Sequence, residues 1–307
     1  MWHMGREAAR LLGTRSPSNR PPLCPMNLPI FTTPTELGHY LQPHRSQSIG
    51  FVPTMGALHL GHQSLIDRAR RENTVAIVSI FVNPLQFGAN EDLDRYPRQL
   101  AIDRVICQTA GVDALFAPTP ASIGINNALT QVMPPLIMMS GLCGRTRAGH
   151  FQGVATIVTK LLNIVQPDRV YLGEKDAQQL AIIRRIVADL NIPVDIVGCP
   201  TLRAESGLAH SSRNQYLSAA GRSQAAAIYR SLQQAQKLAD LRETNAETLL
   251  AAVTTELGTA PEFELEYLEL VDPDTLQSID KLDKLALLAI AGRIEGTRLI
   301  DNIILGG

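Results

Sequence analysis

Between residues 49 and 197 the chain alternates short apolar runs with longer stretches in which apolar residues recur every third or fourth position. The runs at 49–52, 75–81, 114–116, 169–172 and 193–197 have the length and character of buried strands, and the stretches at 63–71, 93–110, 153–165 and 176–190 carry helical spacing. In the first of these helices Leu65, Ile66 and Ala69 share one face. Parallel strands need a crossover of a dozen or more residues, usually a helix, and this alternation supplies one between each pair. The expected fold is therefore α/β, a Rossmann-type doubly wound parallel sheet. The helix after Gly153 is apolar at most positions and should be well buried.

The pattern changes near Pro200. Beyond Ser218, residues 224–239 and 246–257 read as amphipathic helices, while 264–271, 284–291 and 298–305 read as strands. A second, smaller α+β C-terminal domain is expected to follow the first, with the division at 27–201 and 202–307. Apart from the N-terminal tail there is no internal repeat or low-complexity tract.

The densest chemistry lies in Pro53-Thr54-Met55-Gly56-Ala57-Leu58-His59-Leu60-Gly61-His62, where the first strand passes into the first helix. The first turn of a helix offers unpaired backbone N–H groups and a partial positive charge, which suit phosphate. Glycines at 56 and 61 let backbone approach a ligand closely. His59 and His62 are three apart, so both rings project from one face. Imidazole donates to phosphate oxygens as either tautomer and, at its ordinary pKa, carries charge near neutral pH. The competing reading, half of a metal site, needs further ligands. His150 and His210 are remote in sequence, and the cysteines are scattered.

With 28 basic and 29 acidic residues the formal charge is −1, so no global field draws the chain to nucleic acid or an anionic membrane, and anion recognition must be local. Cys24, Cys107, Cys143 and Cys199 form no C-x-x-C pair, which favours reduced thiols in the cytoplasm over a disulfide framework. Apolar stretches such as 284–291 fall far short of the ~20 residues that span a bilayer. Residues 1–26 differ from the rest, with Arg6, Arg10, Arg15 and Arg20 against the single acid Glu7. A transit peptide has this composition, but the favoured expectation is a disordered extension, or an upstream start with Met26 as the working initiator.

Further motifs extend the first one. Phe81-Val82-Asn83-Pro84-Leu85-Gln86-Phe87, Arg95-Tyr96-Pro97-Arg98, Gly149-His150-Phe151, Gly173-Glu174-Lys175-Asp176 and Ser211-Ser212-Arg213-Asn214 follow in order. Together with the H-x-G-H turn they closely resemble the pantothenate synthetase (pantoate–β-alanine ligase) family, of the wider H-x-G-H nucleotidyltransferase and class I synthetase-like superfamily, from about Thr32 onward. Least similar is 123–139, which is expected to be a variable loop.

The resemblance implies ATP-dependent condensation of pantoate with β-alanine to pantothenate, through pantoyl adenylate, with release of pyrophosphate and AMP. It places the enzyme in pantothenate and coenzyme A biosynthesis, as a cytoplasmic homodimer using Mg²⁺ with ATP and no dedicated protein metal site. On the matching positions His62, His59, Lys175 and Arg213 would be catalytic. ATP would be held by Met55, His59, His62, Gly173, Lys175, Asp176, Ser211, Ser212 and Arg213. Pantoate would contact Gln86, Gln179, Met55 and Asn83. The chemistry agrees: an amide side chain both donates and accepts, a carboxylate accepts two hydrogen bonds from a ribose diol, and hydroxyls beside a guanidinium favour polyphosphate. Taken singly, Asp176 could equally cap a helix, Lys175 could be a solvated surface residue and Ser211–Arg213 a polar turn. Within the motif the latter segment reads as a hinge closing the second domain over ATP.

Three positions depart from the family pattern: Ala177 where an aromatic is usual, Ala148 in place of proline, and His210 in place of an apolar residue at the edge of the adenine site. The alternative function is nucleotidyl transfer, which shares the H-x-G-H turn but has no use for Gln86 and Gln179 as a hydroxy-acid pocket. A non-catalytic nucleotide-binding module would leave the histidines, Lys175 and Arg213 together unexplained.

Overall fold

The computed structural model describes residues 28–89, 91–125 and 129–306. The expected N-terminal extension at 1–26, with Cys24 and Met26, lies outside the described residues. The chain runs through β1 (Ile30–Phe31), α1 (Pro34–Leu41), β2 (Ile49–Thr54), α2 (Leu60–Glu72), β3 (Val75–Ile80), α3 (Leu100–Thr109) and β4 (Ala114–Phe116). There follow α4 (Leu136–Met139), α5 (Leu142–Thr146), α6 (His150–Val165), β5 (Arg169–Gly173), α7 (Ala177–Asp189) and β6 (Asp195–Cys199). The C-terminal part adds α8 (Ala219–Asp240), α9 (Ala246–Leu257), β7 (Glu264–Val271), β8 (Ala286–Ile294) and β9 (Thr297–Leu305).

Strands β1 to β6 form one parallel sheet in the order β1-β4-β3-β2-β5-β6. Although its strands read as continuous apolar runs, residues alternate between faces. Ile49, Phe51, Val75, Ile77, Val170 and Leu172 pack with α1, α6 and α7 on one side. Val52, Val78 and Tyr171 pack with Leu65, Ile66 and Ala69 of α2 and Cys107 of α3 on the other. Burial on both faces is what makes the strands uniformly apolar. Helix α6 is buried along most of its length, as its composition predicts.

The second sheet is antiparallel, in the order β7-β8-β9. One face carries Leu288, Ile290 and Ile294 against Ile228 and Leu232 of α8 and Leu249 and Val253 of α9. Its other face, with Tyr267, Leu287, Ala289 and Ala291, packs on Leu142 and Cys143 of α5, Phe151 and Ala155 of α6 and Ala181, Ile182 and Ile186 of α7. An apolar seam therefore joins the two sheet systems.

Most predicted elements are present, with informative differences at their ends. The helix expected over 93–110 starts only at Leu100. Pro97 disfavours helical backbone in the residue before it and cannot donate to a preceding turn. The strand expected from Pro193 begins at Asp195. Strand β1 has only two residues, too few to show a period, and α1 was not anticipated although Thr33 and Glu36 form a capping box with Pro34 between them. Within 123–139 the short helix α4 interrupts the expected loop. Among the described residues no helix is long and apolar enough to cross a membrane.

Phe51 is fully buried at the centre of the larger core. Replacing it by alanine is expected to lower unfolding free energy by about 3–5 kcal/mol, read as a lower urea midpoint.

Candidate active site

Strand order runs outward in opposite directions from β2 and β5, so a crevice opens between their carboxyl ends. At the end of β2 the chain makes a turn with Gly56 at φ 83° and Ala57 at φ 51°. The backbone N–H of Gly56 donates to Thr54 Oγ1 at 3.1 Å, and that hydroxyl donates to the carbonyl of Ser79 at 2.7 Å. The amides of Ala57 and Leu58 donate to the carboxylate of Asp103, on α3, at 3.0 and 2.8 Å.

His59 then caps α2. Its Nδ1 accepts from the amide of Gly61 at 3.1 Å, while Nδ1 of His62 accepts from the amide of His59 at 3.4 Å. This is a capping box built from two imidazoles rather than the usual hydroxyl and carboxamide or carboxylate. A Cβ at position 61 would lie 2.9 Å from Cε1 of His59, so only glycine lets the ring fold back over the helix end. The rings sit 4.1 Å apart. Since each Nδ1 is an acceptor, the proton of each neutral ring resides on Nε2.

The expectation that these histidines carry charge near neutral pH is not met. Burial, reinforced by His62, Lys175 and His210, lowers the pKa of His59 to about 3. Burial and Lys175 lower that of His62 to about 4. Both rings are thus neutral Nε2–H donors at pH 7.

Opposite them, β5 ends at Gly173 and a single 3₁₀ turn, Glu174–Asp176, leads into α7. Asn302 of β9 donates to the carbonyls of Glu174 and Lys175 at 3.0 and 2.8 Å, so the second sheet holds the turn that carries Lys175. Asp176 occupies the N-cap position of α7 but makes no capping hydrogen bond with its side chain, which leaves its carboxylate available to the cleft.

The third wall is the 3₁₀ turn Pro84–Gln86. Gln86 Nε2 lies 3.2 Å from the sulfur of Met55, and its Oε1 accepts from Asn83 Nδ2 at 3.0 Å. Asn83 is buried and also donates to the carbonyl of Gly153 while accepting from the amide of Leu85, so its amide is committed within the protein. Behind it His150 Nδ1 donates to the carbonyl of Gln86 at 2.8 Å and its Nε2 accepts from Arg147, which is paired bidentately with Glu91. Burial and Arg147 lower His150 to about 4.

In the segment that follows β6, the Ser211 hydroxyl accepts from the amide of Arg213, and Ser212 lies 3.3 Å from the hydroxyl of Tyr96. Arg213 donates from Nε and Nη2 to Asp92 at 3.1 and 2.8 Å. Arg203, upstream on the same strap, forms a bidentate pair with Asp301 of β9.

These walls line an open cleft of about 1380 Å³, counting the solvent at its mouth. Every residue assigned from the sequence lines it, from Met55 and His59 through Gln86, Lys175 and Gln179 to Arg213. His210 lines it too, its ring 6.3 Å from that of His59. The sequence reading gave no role to Tyr96, Arg147 or His150, which share the cleft, although two of the quoted motifs contain Tyr96 and His150. Asp92 and Asp103 carried no local signal, because each acts on a partner more than forty residues away. Among the described residues no group of three or more His, Cys, Asp or Glu is placed to hold a metal ion.

Three depressed histidines make stability depend on pH. The unfolded chain takes up these protons near the ordinary value of 6.5, the folded chain only near 3 to 4, so their contribution is complete above pH 7 and is lost as pH falls from 6.5 toward 4. A loss on the order of 1 kcal/mol per histidine is expected between pH 7.5 and pH 5, after allowance for partial solvent screening, measured by urea unfolding. The lowered carboxylates Glu91 and Glu266 act only below their ordinary value of 4.5 and leave that window clear.

The model of the Pantoate-beta-alanine ligase family matches residues 29–304. The bifunctional pantoate ligase/cytidylate kinase of Trichormus variabilis is 58% identical over 264 residues, covering 84% of this chain and 49% of that protein. A protein of the same name from Trichodesmium erythraeum is 52% identical over 293 residues, 90% of this chain and 56% of that protein. The chain thus spans about half the length of the curated relatives it matches. Among solved structures, pantothenate synthetase from Thermus thermophilus superposes with a TM-score of 0.86 at 45% identity, covering 90% of this chain and 99% of that one. The pantoate-beta-alanine ligase of Francisella tularensis, complexed with beta-gamma ATP and beta-alanine, gives 0.75 at 38% identity over 91% of this chain and 98% of that one. With the family model spanning nearly all the described residues, and both sheets in place, the chain belongs to the pantoate-beta-alanine ligase family.

Proposed function

We propose that this chain condenses pantoate with β-alanine at the expense of ATP. The observation that carries the reading is that one cleft gathers neutral histidine donors, Lys175 and Arg213 beside the side-chain amides of Gln86 and Gln179. A carboxylate does not form an amide at neutral pH without activation. A pantoate carboxylate oxygen attacks the α-phosphorus of ATP, the bond to the bridging oxygen breaks and pyrophosphate leaves. The amine of β-alanine then attacks the acyl carbon of pantoyl adenylate, loses a proton and expels AMP.

Within this reading the Nε2–H groups of His59 and His62 donate to the α-phosphate, where charge grows in the transition state. Burial keeps both rings neutral, and a neutral N–H donor has no ionic hydration to lose when phosphate docks. Lys175 and Arg213, with the hydroxyls of Ser211 and Ser212, take the outer phosphates, and Arg213 exchanges Asp92 for phosphate oxygen as ATP enters. Asp176 and the backbone at Gly173 hold the ribose. Met55 lies between nucleotide and pantoate, its thioether against the gem-dimethyl group, while Gln86 and Gln179 bind the hydroxy acid and Asn83 fixes Gln86 from behind. Mg²⁺ arrives with the triphosphate as part of the substrate. The complex of the Francisella relative with an ATP species and β-alanine supports a cleft of this kind.

We place the division between domains at 201–202, with the C-terminal domain as lid. Because its sheet is sealed to α5, α6 and α7 by apolar side chains, closure has to slide along that seam or be confined to the strap carrying Ser211–Arg213. A cytoplasmic homodimer acting in pantothenate and coenzyme A biosynthesis completes the proposal.

AMP release from ATP is expected to require pantoate and β-alanine together. Pyrophosphate release with a stable nucleotidylated product would favour the nucleotidyltransferase alternative. In the same assay Gln86→Ala and Gln179→Ala are each expected to raise KM for pantoate about 10- to 100-fold, equivalent to losing one or two hydrogen bonds, with KM for ATP nearly unchanged.

A further inference from the structure

Asp103 is a fully buried carboxylate on α3 with no substrate-facing role, and its position in the fold is hard to reconcile with a purely packing function. Its two oxygens accept from the consecutive amides of Ala57 and Leu58 at 3.0 and 2.8 Å. Those amides belong to the turn in which Ala57, a residue with a Cβ, is held at φ 51°. That left-handed backbone is strained for an L-residue and persists only where surroundings enforce it. Gly56 is fitted to the same carboxylate, since a Cβ there would lie 2.9 Å from Asp103 Oδ2. Thr54, Asp103 and the two imidazoles together satisfy the amides of Gly56, Ala57, Leu58, His59 and Gly61.

We propose that Asp103 is a positioning residue for the phosphate-contacting histidines: its carboxylate holds the 56–58 turn in the conformation that aims the His59–His62 capping box into the cleft. The inference rests on the ligase reading for its catalytic consequence, though its structural half does not. Asparagine at this position is isosteric but presents an NH₂ to one of the two amides, which sets donor against donor. The turn then relaxes, the Nε2–H groups shift by a fraction of an ångström to an ångström, and alignment with the α-phosphate is lost. Misplacement of that size away from the chemistry costs on the order of 10²-fold in rate.

Asp103→Asn is expected to lower kcat for pantoyl-adenylate formation about 10²-fold while KM for ATP and for pantoate changes less than about threefold. Amide hydrogen exchange at Ala57 and Leu58 should accelerate at least about tenfold, with exchange in β3 and α6 unchanged. If the asparagine variant does not fold, exchange in the wild-type protein decides: the amides of Ala57 and Leu58 should be protected as strongly as those of β3, and fast exchange there would overturn the proposal. A folded asparagine variant that keeps wild-type kcat and wild-type exchange at 57 and 58 would overturn it as well. If the wild-type protein forms no pantoyl adenylate, the ligase reading fails instead, and the exchange measurement still tests what Asp103 holds.

Discussion

The site depends on one local arrangement, the capping of α2 by two imidazoles. A helix beginning at the carboxyl end of a parallel strand has orphan N–H groups that must find acceptors. Here a ring nitrogen fills that need twice, and the consequence is chemical as well as structural. Each Nδ1 that accepts from backbone forces its proton onto Nε2, so helix capping and donor presentation are the same hydrogen bonds seen from opposite sides. The spacing H-x-G-H follows from this: the N-cap and the third helical residue form the box, and glycine between them leaves room for the first ring.

Around this arrangement charge is placed locally, in a protein whose formal charge is only −1. Burial, with Lys175 nearby, keeps the histidines neutral, while Arg147 and Arg213 are held by Glu91 and Asp92. The two pairs serve different ends. Arg147, with Glu91 and His150, fixes the backbone of the Gln86 turn, whereas the Asp92 pair occupies the guanidinium that the proposed reaction assigns to phosphate. Stabilisation from either pair is modest at the protein surface and larger where burial excludes water, so release of Arg213 to a triphosphate exchanges one charge-assisted contact for another.

Much of this was legible in the sequence because it is written locally. Strands β2, β3, β4 and β5 appear as short apolar runs, and three of the motifs, at 59–62, 83–86 and 173–176, gather because they follow the carboxyl ends of β2, β3 and β5 at one edge of the sheet. What was not legible depends on distant partners. The neutral state of His59 and His62 comes chiefly from burial that no motif records, reinforced by Lys175, over a hundred residues away. Asp103 gave no signal as the acceptor for Ala57 and Leu58, since an acidic residue in a helix usually reads as solvated. The late start of α3 was recoverable from Pro97, and α1 from its own capping box at Thr33 and Glu36, so those differences reflect punctuation that was present but outweighed by the apolar spacing.

The central claim, that the two histidines face the cleft as neutral Nε2–H donors, is open to direct observation by ¹⁵N-resolved NMR of the imidazole rings in the ligand-free protein. The account predicts that at pH 7 both rings show an unprotonated Nδ1 and a protonated Nε2, and that neither titrates until well below pH 5. A protonated Nδ1 on either ring, or titration of either near the ordinary histidine value of 6.5, would contradict it.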